Sequence, residues 1–252
     1  MSAKNLVDVI LPVYNSEKFI IKTINSIINQ SFNKWRIIII DDASSDKTLF
    51  IIKKFYKKFI LKKKLLLIRN LINRGQGYCR NLGLKYSNSE FVAFIDSDDL
   101  WMKKKLERQI RFMKTFNYVF TYTDYKVFNN DKIKIIYPPI NYNYSKFVLN
   151  TSIATSTMIL HKKIINNLFS TKIRFCEDYL FKCELLKKYN ANKYPGIYTK
   201  YIVRKDSLQS SRKKVLLAVW NINKNFNKMN IIKNIFSILF ISINSLIKYG
   251  IR

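Results

Sequence analysis

Four short apolar runs recur along the first hundred residues, and each leads into a stretch with helical spacing. "LVDVIL" (6–11) is followed by residues 17–29, where Ile20, Ile24, Ile27 and Ile28 recur three or four positions apart. "WRIIII" (35–40) has no polar alternation, the mark of a strand buried on both faces, and "SSDKT" then offers N-cap residues for a helix over 48–59. "LLLIR" (65–69) precedes a helix over 76–87, and "FVAFI" (91–95) precedes one over 102–116. Strands separated by helices of this length pair in parallel through right-handed crossovers. The expected fold class is therefore α/β, a Rossmann-like nucleotide-binding sheet with helices on both faces.

Ligands of such sheets sit beyond the carboxyl ends of the strands. Each strand here runs into a polar cluster: Pro12-Val13-Tyr14-Asn15, then Asp41-Asp42, then residues 70–77, then Asp96-Ser97-Asp98-Asp99. All four clusters fall on one edge, whereas loop residues without a shared task would scatter over both. Downstream, "YVFTYTDYKVF" (118–128) alternates with period two and reads as a strand, and "CEDYLFKCELLKKY" (176–189) opens a helix. No repeat or low-complexity linker divides the chain before about residue 205. The expected organisation is one continuous α/β body over 1–205, in two halves that meet near residue 100, and a C-terminal tail of two helices over 206–252.

Charge sharpens the question. The 252 residues carry 46 Lys and Arg against 16 Asp and Glu, a formal net charge of +30, so acids gathered at a strand end are conspicuous. Neighbouring carboxylates repel and lose hydration unless a cation sits among them. The lysine runs, such as "KKFYKKF", carry no RNA-binding or zinc-finger signature, and no nucleic-acid partner is expected. Three cysteines with no Cys-x-x-Cys, and His161 as the only histidine, exclude a Cys/His zinc site and fit a reducing compartment. The short apolar run near the N-terminus is no signal peptide.

"VILPVYN…DDASSDKT…NRGQGYCRNLGL…FIDSDDLW…CEDYLFK", in that order and spacing, resembles the family 2 glycosyltransferases of GT-A fold over roughly residues 5–205, and "YIVRKDSLQSS" is similar to the bacterial surface-polysaccharide sub-group, of teichuronic acid and lipopolysaccharide type. The resemblance implies inverting transfer of a sugar from a nucleotide-diphosphate donor, UDP-sugar foremost, to a lipid-linked or glycan acceptor, by a catalytic domain over 1–205 with a nucleotide-sugar-binding half (1–100) and an acceptor half (101–205). It implies a divalent metal, Mg²⁺ or Mn²⁺, with Asp98 as ligand and Asp96 beside it toward the ribose or metal. Pro12, Val13, Tyr14 and Glu17 match the loop framing base and ribose, and Asp42 the position that accepts from the base's ring N–H. Asn73, Gly75, Arg80, Asp96 and Ser97 complete the nucleotide-sugar set, with the "NRGQG" helix N-terminus a place for phosphate. Asp99 is expected to orient the site or touch the acceptor, and it is grouped with Trp101 on the acceptor side. Asp178 matches the general base and Glu177 its neighbour, and Arg204 and Lys205 are further phosphate candidates. The rival readings are a sugar-phosphate nucleotidyltransferase, which lacks its glycine-rich first loop here, and a basic nucleic-acid-binding module.

The tail segment 231–249 would be about 28 Å long as a helix, barely a membrane span. Lys233, Asn234, Ser237, Asn244, Ser245 and Lys248 share one side, and Ile232, Ile235, Phe236, Leu239, Phe240, Ile243, Leu246 and Ile247 the other. Two arrangements stay open: the apolar side covers the catalytic body, or it lies in the interface of an anionic membrane. Under the second, the enzyme is cytoplasmic and peripheral on the inner face of the cell membrane.

Overall fold

The computed structural model describes residues 6–129, 132–166, 168–203 and 211–249. Arg204 and Lys205 lie outside them, as does the side chain of Lys248. The first half of the chain runs β1 (Val7–Val13), α1 (Ile20–Ile28), β2 (Trp35–Asp41), α2 (Thr48–Phe55), α3 (Lys57–Leu61), β3 (Leu65–Arg69), α4 (Gln76–Tyr86) and β4 (Phe91–Phe94). These four strands are parallel, in register Val7 to Trp35, Ile37 to Leu65 and Val7 to Phe91. Their continuous apolar character places side chains in two cores, one on each face: Ile10, Ile38, Ile40, Val92 and Phe94 on one side, and Val9, Leu11, Ile37, Ile39 and Ala93 on the other.

The second half of the chain extends the same sheet. It adds β5 (Leu100–Trp101), α5 (Lys105–Thr115), β6 (Phe120–Asn129), β7 (Lys132–Ile136), β8 (Asn141–Tyr142), α6 (Tyr144–Phe147), β9 (Ile159–His161), α7 (Glu177–Leu186) and β10 (Ala191–Ile202). The strand order is β3-β2-β1-β4-β9-β6-β10-β5, with β7 beside β6 and β8 beside β10. Strand β9 is antiparallel to both β4 and β6, so β6 again points the way of β4. Periodicity marks β6 but not β10, whose middle is Pro195-Gly196. Pairing of β10 with β6 shifts register between Tyr194 and Ile197, and Gly196 takes φ +111° while its amide donates to Asp124 Oδ2 at 2.9 Å. The helix expected over 48–59 divides into α2 and α3.

The tail forms α8 (Arg212–Asn225) and α9 (Ile231–Tyr249). Helix α9 docks by a face that sets Ile238 and Ile241 among the uncharged polar residues Asn234, Ser237 and Asn244. Asn234 and Ser237 are buried, and Ser237 Oγ donates to the Val148 carbonyl at 2.6 Å. The arrangement in which the apolar side covers the catalytic body is therefore overturned.

At the edge of the sheet opposite the polar clusters, Asp8 is enclosed and accepts five hydrogen bonds. Arg36 supplies two, at 2.9 and 3.1 Å, and Ser87 Oγ and the Asn88 and Ser89 amides supply the rest. Burial alone would raise the Asp8 pKa, but the Arg36 hydrogen bonds and charge bring it below the usual aspartate range. A carboxylate with a depressed folded pKa stabilises above its unfolded pKa, near 4, and loses that contribution as pH falls through the folded value. Asp8→Asn should therefore cost about 3–5 kcal/mol at neutral pH, because Arg36 is left without its charge partner. Denaturant melts at neutral pH and at progressively lower pH should show the gap between wild type and variant closing in acid, while a gap independent of pH would refute the assignment.

Candidate active site

The loop after β1 is latched to the loop after β2. Asn15 Oδ1 accepts from the Ser45 amide at 2.9 Å, and its own amide donates to Ser44 Oγ. Glu17 Oε2 accepts from the Lys47 amide at 2.9 Å, and the Glu17 amide donates to Asp46. Asn15 and Ala43 both take positive φ, so each strand end turns sharply. Pro12 and Val13 are buried strand positions that set the floor, and Tyr14 is 48% exposed above it. The Ser16 and Ser97 hydroxyls are 2.7 Å apart, which ties the first loop to the acidic loop after β4.

Asp42 is buried and organises the third loop. Its oxygens accept from Asn70 Nδ2 at 2.7 Å and from the Arg74 and Gly75 amides at 3.0 and 2.8 Å. Those two amides therefore face Asp42, not an open phosphate site. Gly75 caps α4 at φ +88°, a conformation that resists any side chain, while Asn73 is exposed on the loop. Unmet acceptor capacity lies one residue earlier. Asp41 is enclosed, neither of its oxygens has a hydrogen-bond partner, and its charge neighbour is Arg69 Nε at 3.4 Å. The motif alone points to the second aspartate of the pair, and only the burial and partners of Asp41 single it out.

Arg80 is the join between the distant motifs. From the buried side of α4 its Nη1 donates to Glu177 Oε1 at 2.7 Å and its Nη2 to Asp96 Oδ1 at 2.8 Å and Gln76 Oε1 at 3.1 Å. The guanidinium also lies over the Phe169 ring, 5.4 Å from its centroid. Burial would lower its pKa, but Asp96, Glu177 and Asp178 raise it, so the cation is permanent. The approach demands a bare backbone at Gly77, where a Cβ would stand 2.9 Å from Glu177 Cγ.

Ser156, in the one-turn helix of residues 155–157, makes a second join that no sequence signal marks. Its hydroxyl donates to Asp99 Oδ2 at 2.5 Å and accepts from the Asp96 amide at 3.0 Å, and its carbonyl accepts from Trp101 Nε1 at 2.8 Å. Asp99 is fully enclosed and also accepts from the Ile202 amide, while Trp101 is 4% exposed. Both residues expected on the acceptor side thus lie beneath the surface and brace the acidic loop. Burial first, then the charges of Asp98 and Asp96, push the Asp99 carboxyl well above the usual range. A cation among the three would relieve that repulsion.

Asp98 is half-buried at the turn of this loop. Among the described residues no three His, Cys, Asp or Glu side chains cluster closely enough to hold an ion unaided. One or two carboxylates completed by phosphate oxygens and water is the way a small hard cation is held in nucleotide sites, and the donor set fits that.

Asp178 opens α7 beside Glu177, after Cys176 in left-handed conformation. Its Oδ2 accepts from Thr155 Oγ1 at 3.0 Å and from Lys182 Nζ at 2.7 Å, and its side chain keeps 20% exposure. Burial would raise its pKa, yet Lys182 and then Arg80 hold it well below the usual carboxylate range. Glu177, by contrast, is lifted above the glutamate range by burial, against Arg80 and with Asp178. One acid is thus an ionised, reachable acceptor of protons, and the other is an internal partner of Arg80.

Removing that partner should be costly. Arg80→Met should lower unfolding free energy by about 3–5 kcal/mol, since Asp96 and Glu177 lose their counter-charge. Arg80→Lys, a point charge without the fork, should restore only part. Denaturant melts of the three proteins test this, and coincident curves would show the bridge to be idle.

The Glycosyl transferase family 2 model matches residues 8–178. WfgD of Escherichia coli, a UDP-Glc:alpha-D-GlcNAc-diphosphoundecaprenol beta-1,3-glucosyltransferase, is 34% identical over 225 residues, which are 88% of this chain and 86% of WfgD. TuaG of Bacillus subtilis, a putative teichuronic acid biosynthesis glycosyltransferase, is 30% identical over 91% of this chain and 92% of its own. Two solved structures share the fold. S. aureus TarS 1-349 in complex with UDP-GlcNAc superposes with TM-score 0.71 at 23% identity, over 96% of this chain and 75% of that one, and the chain spans 43% of the longer TarS chain. The mannosyltransferase PcManGT of Pyrobaculum calidifontis, in complex with GDP-Man and Mn2+, superposes with TM-score 0.72 at 16% identity, over 95% and 70%. With the ordered motifs gathered on one sheet edge and a family match across most of the chain, this protein belongs to glycosyl transferase family 2 and is a glycosyltransferase.

Proposed function

We propose that the protein is an inverting hexosyltransferase that moves a sugar from a UDP-sugar to a lipid-linked acceptor in the synthesis of a bacterial surface polysaccharide. The observation that carries this reading is the Arg80 bridge, which sets the acidic loop after β4 and the Asp178 helix side by side over one edge of the sheet. The E. coli relative, named for a diphosphoundecaprenol acceptor and a β-1,3 linkage, supports the acceptor class.

The diphosphate belongs beside Asp98 and Asp96, which would hold a Mg²⁺ or Mn²⁺ ion together with phosphate oxygens. When bound, such an ion offsets the negative charge that develops on the leaving UDP. Tyr14 and the Glu17 loop frame the base. Asp41 accepts its ring N–H once the Arg69 side chain, 55% exposed, turns outward, and Asp42 keeps the Asn70–Gly75 loop in place. Asp178 takes the proton from the acceptor hydroxyl as it attacks the anomeric carbon from the face opposite the diphosphate. Thr155 and Lys182 fix the carboxylate's orientation and keep it unprotonated, at the expense of basicity. Residues 1–205 form the catalytic domain in this reading and 206–252 an accessory tail. Three unpaired cysteines agree with a reducing, cytoplasmic site of action.

The reading separates two aspartates. Asp98→Asn should abolish metal-dependent UDP-sugar binding in a thermal-shift panel, whereas Asp178→Asn should keep that binding and lose transfer by about 10² or more. Undiminished turnover in EDTA, or a loss of donor affinity in Asp178→Asn with normal residual turnover, would overturn the two roles.

Lys182 also sets the pH response. With Asp178 held below the usual carboxylate range, its base form persists as pH falls, and the acid limb of transfer lies at low pH. Lys182→Met removes the nearest cation, raises the Asp178 pKa and should move that limb to higher pH. A pH profile of kcat/KM reads the shift, and unchanged profiles would exclude Asp178 as the titrating base.

A further inference from the structure

Helix α9 is amphipathic in the usual way but docked the unusual way round. Its polar residues face inward: Asn234 Oδ1 and Ser237 Oγ accept from Asn223 Nδ2 of α8 at 3.1 and 3.0 Å, and Asn244 Nδ2 donates to the Leu149 carbonyl at 3.1 Å. Its apolar stripe faces outward. Ile232, Ile235, Phe236, Leu239, Phe240 and Ile243, at helical spacing, are between 45% and 63% exposed. A contiguous uncovered row of this kind marks a binding surface.

The charge around it decides what binds. Residues 211–249 contain no aspartate or glutamate, while Arg212, Lys213, Lys214, Lys224 and Lys228 precede the stripe in sequence and Lys233 lies within it, and the five lysines among them are exposed. A second copy of the chain would bring another wholly cationic hairpin against this one, and the two would repel. An anionic lipid surface supplies both the apolar medium and the counter-charge. Strand β7, where Lys134 Nζ donates to the Ile247 carbonyl of α9, adds the exposed cations Lys132 and Lys134, which share one face of the strand. Among the described residues no helix is long and apolar enough to cross a membrane, so a helix lying in the interface is the matching mode.

The dock is also wired to the reaction centre. Asn223 Oδ1 accepts from the Tyr179 hydroxyl at 2.7 Å, and Tyr179 follows Asp178 directly on α7. On the other side, Ser237 and Asn244 hold the Val148 and Leu149 carbonyls, a few residues before Thr155, the hydroxyl donor to Asp178. We propose that the α8–α9 hairpin is a membrane-docking element, seated with the apolar stripe of α9 in the interface of an anionic bilayer, that fixes the orientation of Asp178 toward an acceptor presented from that bilayer. The purpose of the dock rests on the lipid-linked acceptor proposed above, whereas the docking itself does not.

The test is therefore made on vesicles that hold neither donor nor acceptor. The full chain should sediment with vesicles containing phosphatidylglycerol and not with pure phosphatidylcholine. Binding should fall only in part at about 1 M salt, where the screening length is ~3 Å. Leu239→Asp with Phe240→Asp should reduce binding at least tenfold, with an unchanged melt and unchanged affinity for UDP-sugar. If that variant does not fold, Lys213→Glu with Lys214→Glu and Lys228→Glu, all surface changes, should remove the salt-sensitive part. Failure of wild type to bind anionic vesicles at low salt, undiminished binding by the variants, or a wild-type dimer that Leu239→Asp and Phe240→Asp dissolve would each overturn the proposal. None of these readouts uses turnover, so a failed glycosyltransferase assay leaves the docking result standing, and the reverse.

Discussion

A single buried guanidinium holds the catalytic edge together. Arg80 stands inside the protein with Asp96 on one fork and Glu177 on the other. Each of those acids would be expensive to bury alone, and the cation would be as well. The two acids share the one cation, and the geometry of the three fixes how the loop after β4 meets the first turn of α7. Its demands spread outward. Position 77 must be glycine, because Glu177 Cγ lies against its backbone. Phe169 must lie flat under the guanidinium, and it does so stacked on Phe181 at 3.9 Å between centroids, with both its backbone amide and carbonyl bound to Asn81. The chain between β9 and α7 is thereby drawn under the site.

Where each apolar run is continuous, as in "WRIIII" and "LLLIR", the strand is legible to within a residue or two, because a strand buried on both faces tolerates no polar alternation. The edge on which Asp42, Asp96 and Asp98 sit is legible for the same reason: parallel strands put all their carboxyl ends together. The features that stay hidden depend on contacts between segments remote in sequence. Strand β10 is broken by Pro195-Gly196, and it is recovered only because Asp124 of β6 captures the Gly196 amide. Ser156 sits in a stretch of small hydroxyl residues with no periodicity, yet it carries bonds to both Asp99 and Asp96. Trp101 and Asp99 carry the look of ligand-facing residues in a motif, and only their enclosure shows them to be braces.

The pair Asp41-Asp42 shows how fine that limit is. Adjacent residues at a strand end point to opposite faces, so sequence offers two carboxylates and one task. The structure divides them by counting donors. Three reach Asp42, and none within hydrogen-bonding geometry reaches Asp41. The resemblance names Asp42, whereas the unmet hydrogen-bond capacity lies on Asp41.

The tail illustrates a complementary point about amphipathic helices. An apolar stripe predicts burial only when something apolar is available to receive it. Beside α9, the core receives Ile241 and part of Ile238, while the Val148 and Leu149 carbonyls and the Asn223 side-chain amide of α8 all need partners once water is excluded. Asn234, Ser237 and Asn244 supply those partners, and a mutually satisfied polar network of this kind is rigid and specific in orientation. The apolar side is left outward as a consequence of that match. The same network reaches Tyr179, so the helix that carries Asp178 and the face that the protein presents outward are set by one chain of hydrogen bonds. An enzyme whose acceptor is anchored in a surface needs that relation fixed, because a misplacement of the attacking hydroxyl by about 1 Å can cost on the order of 10² in rate.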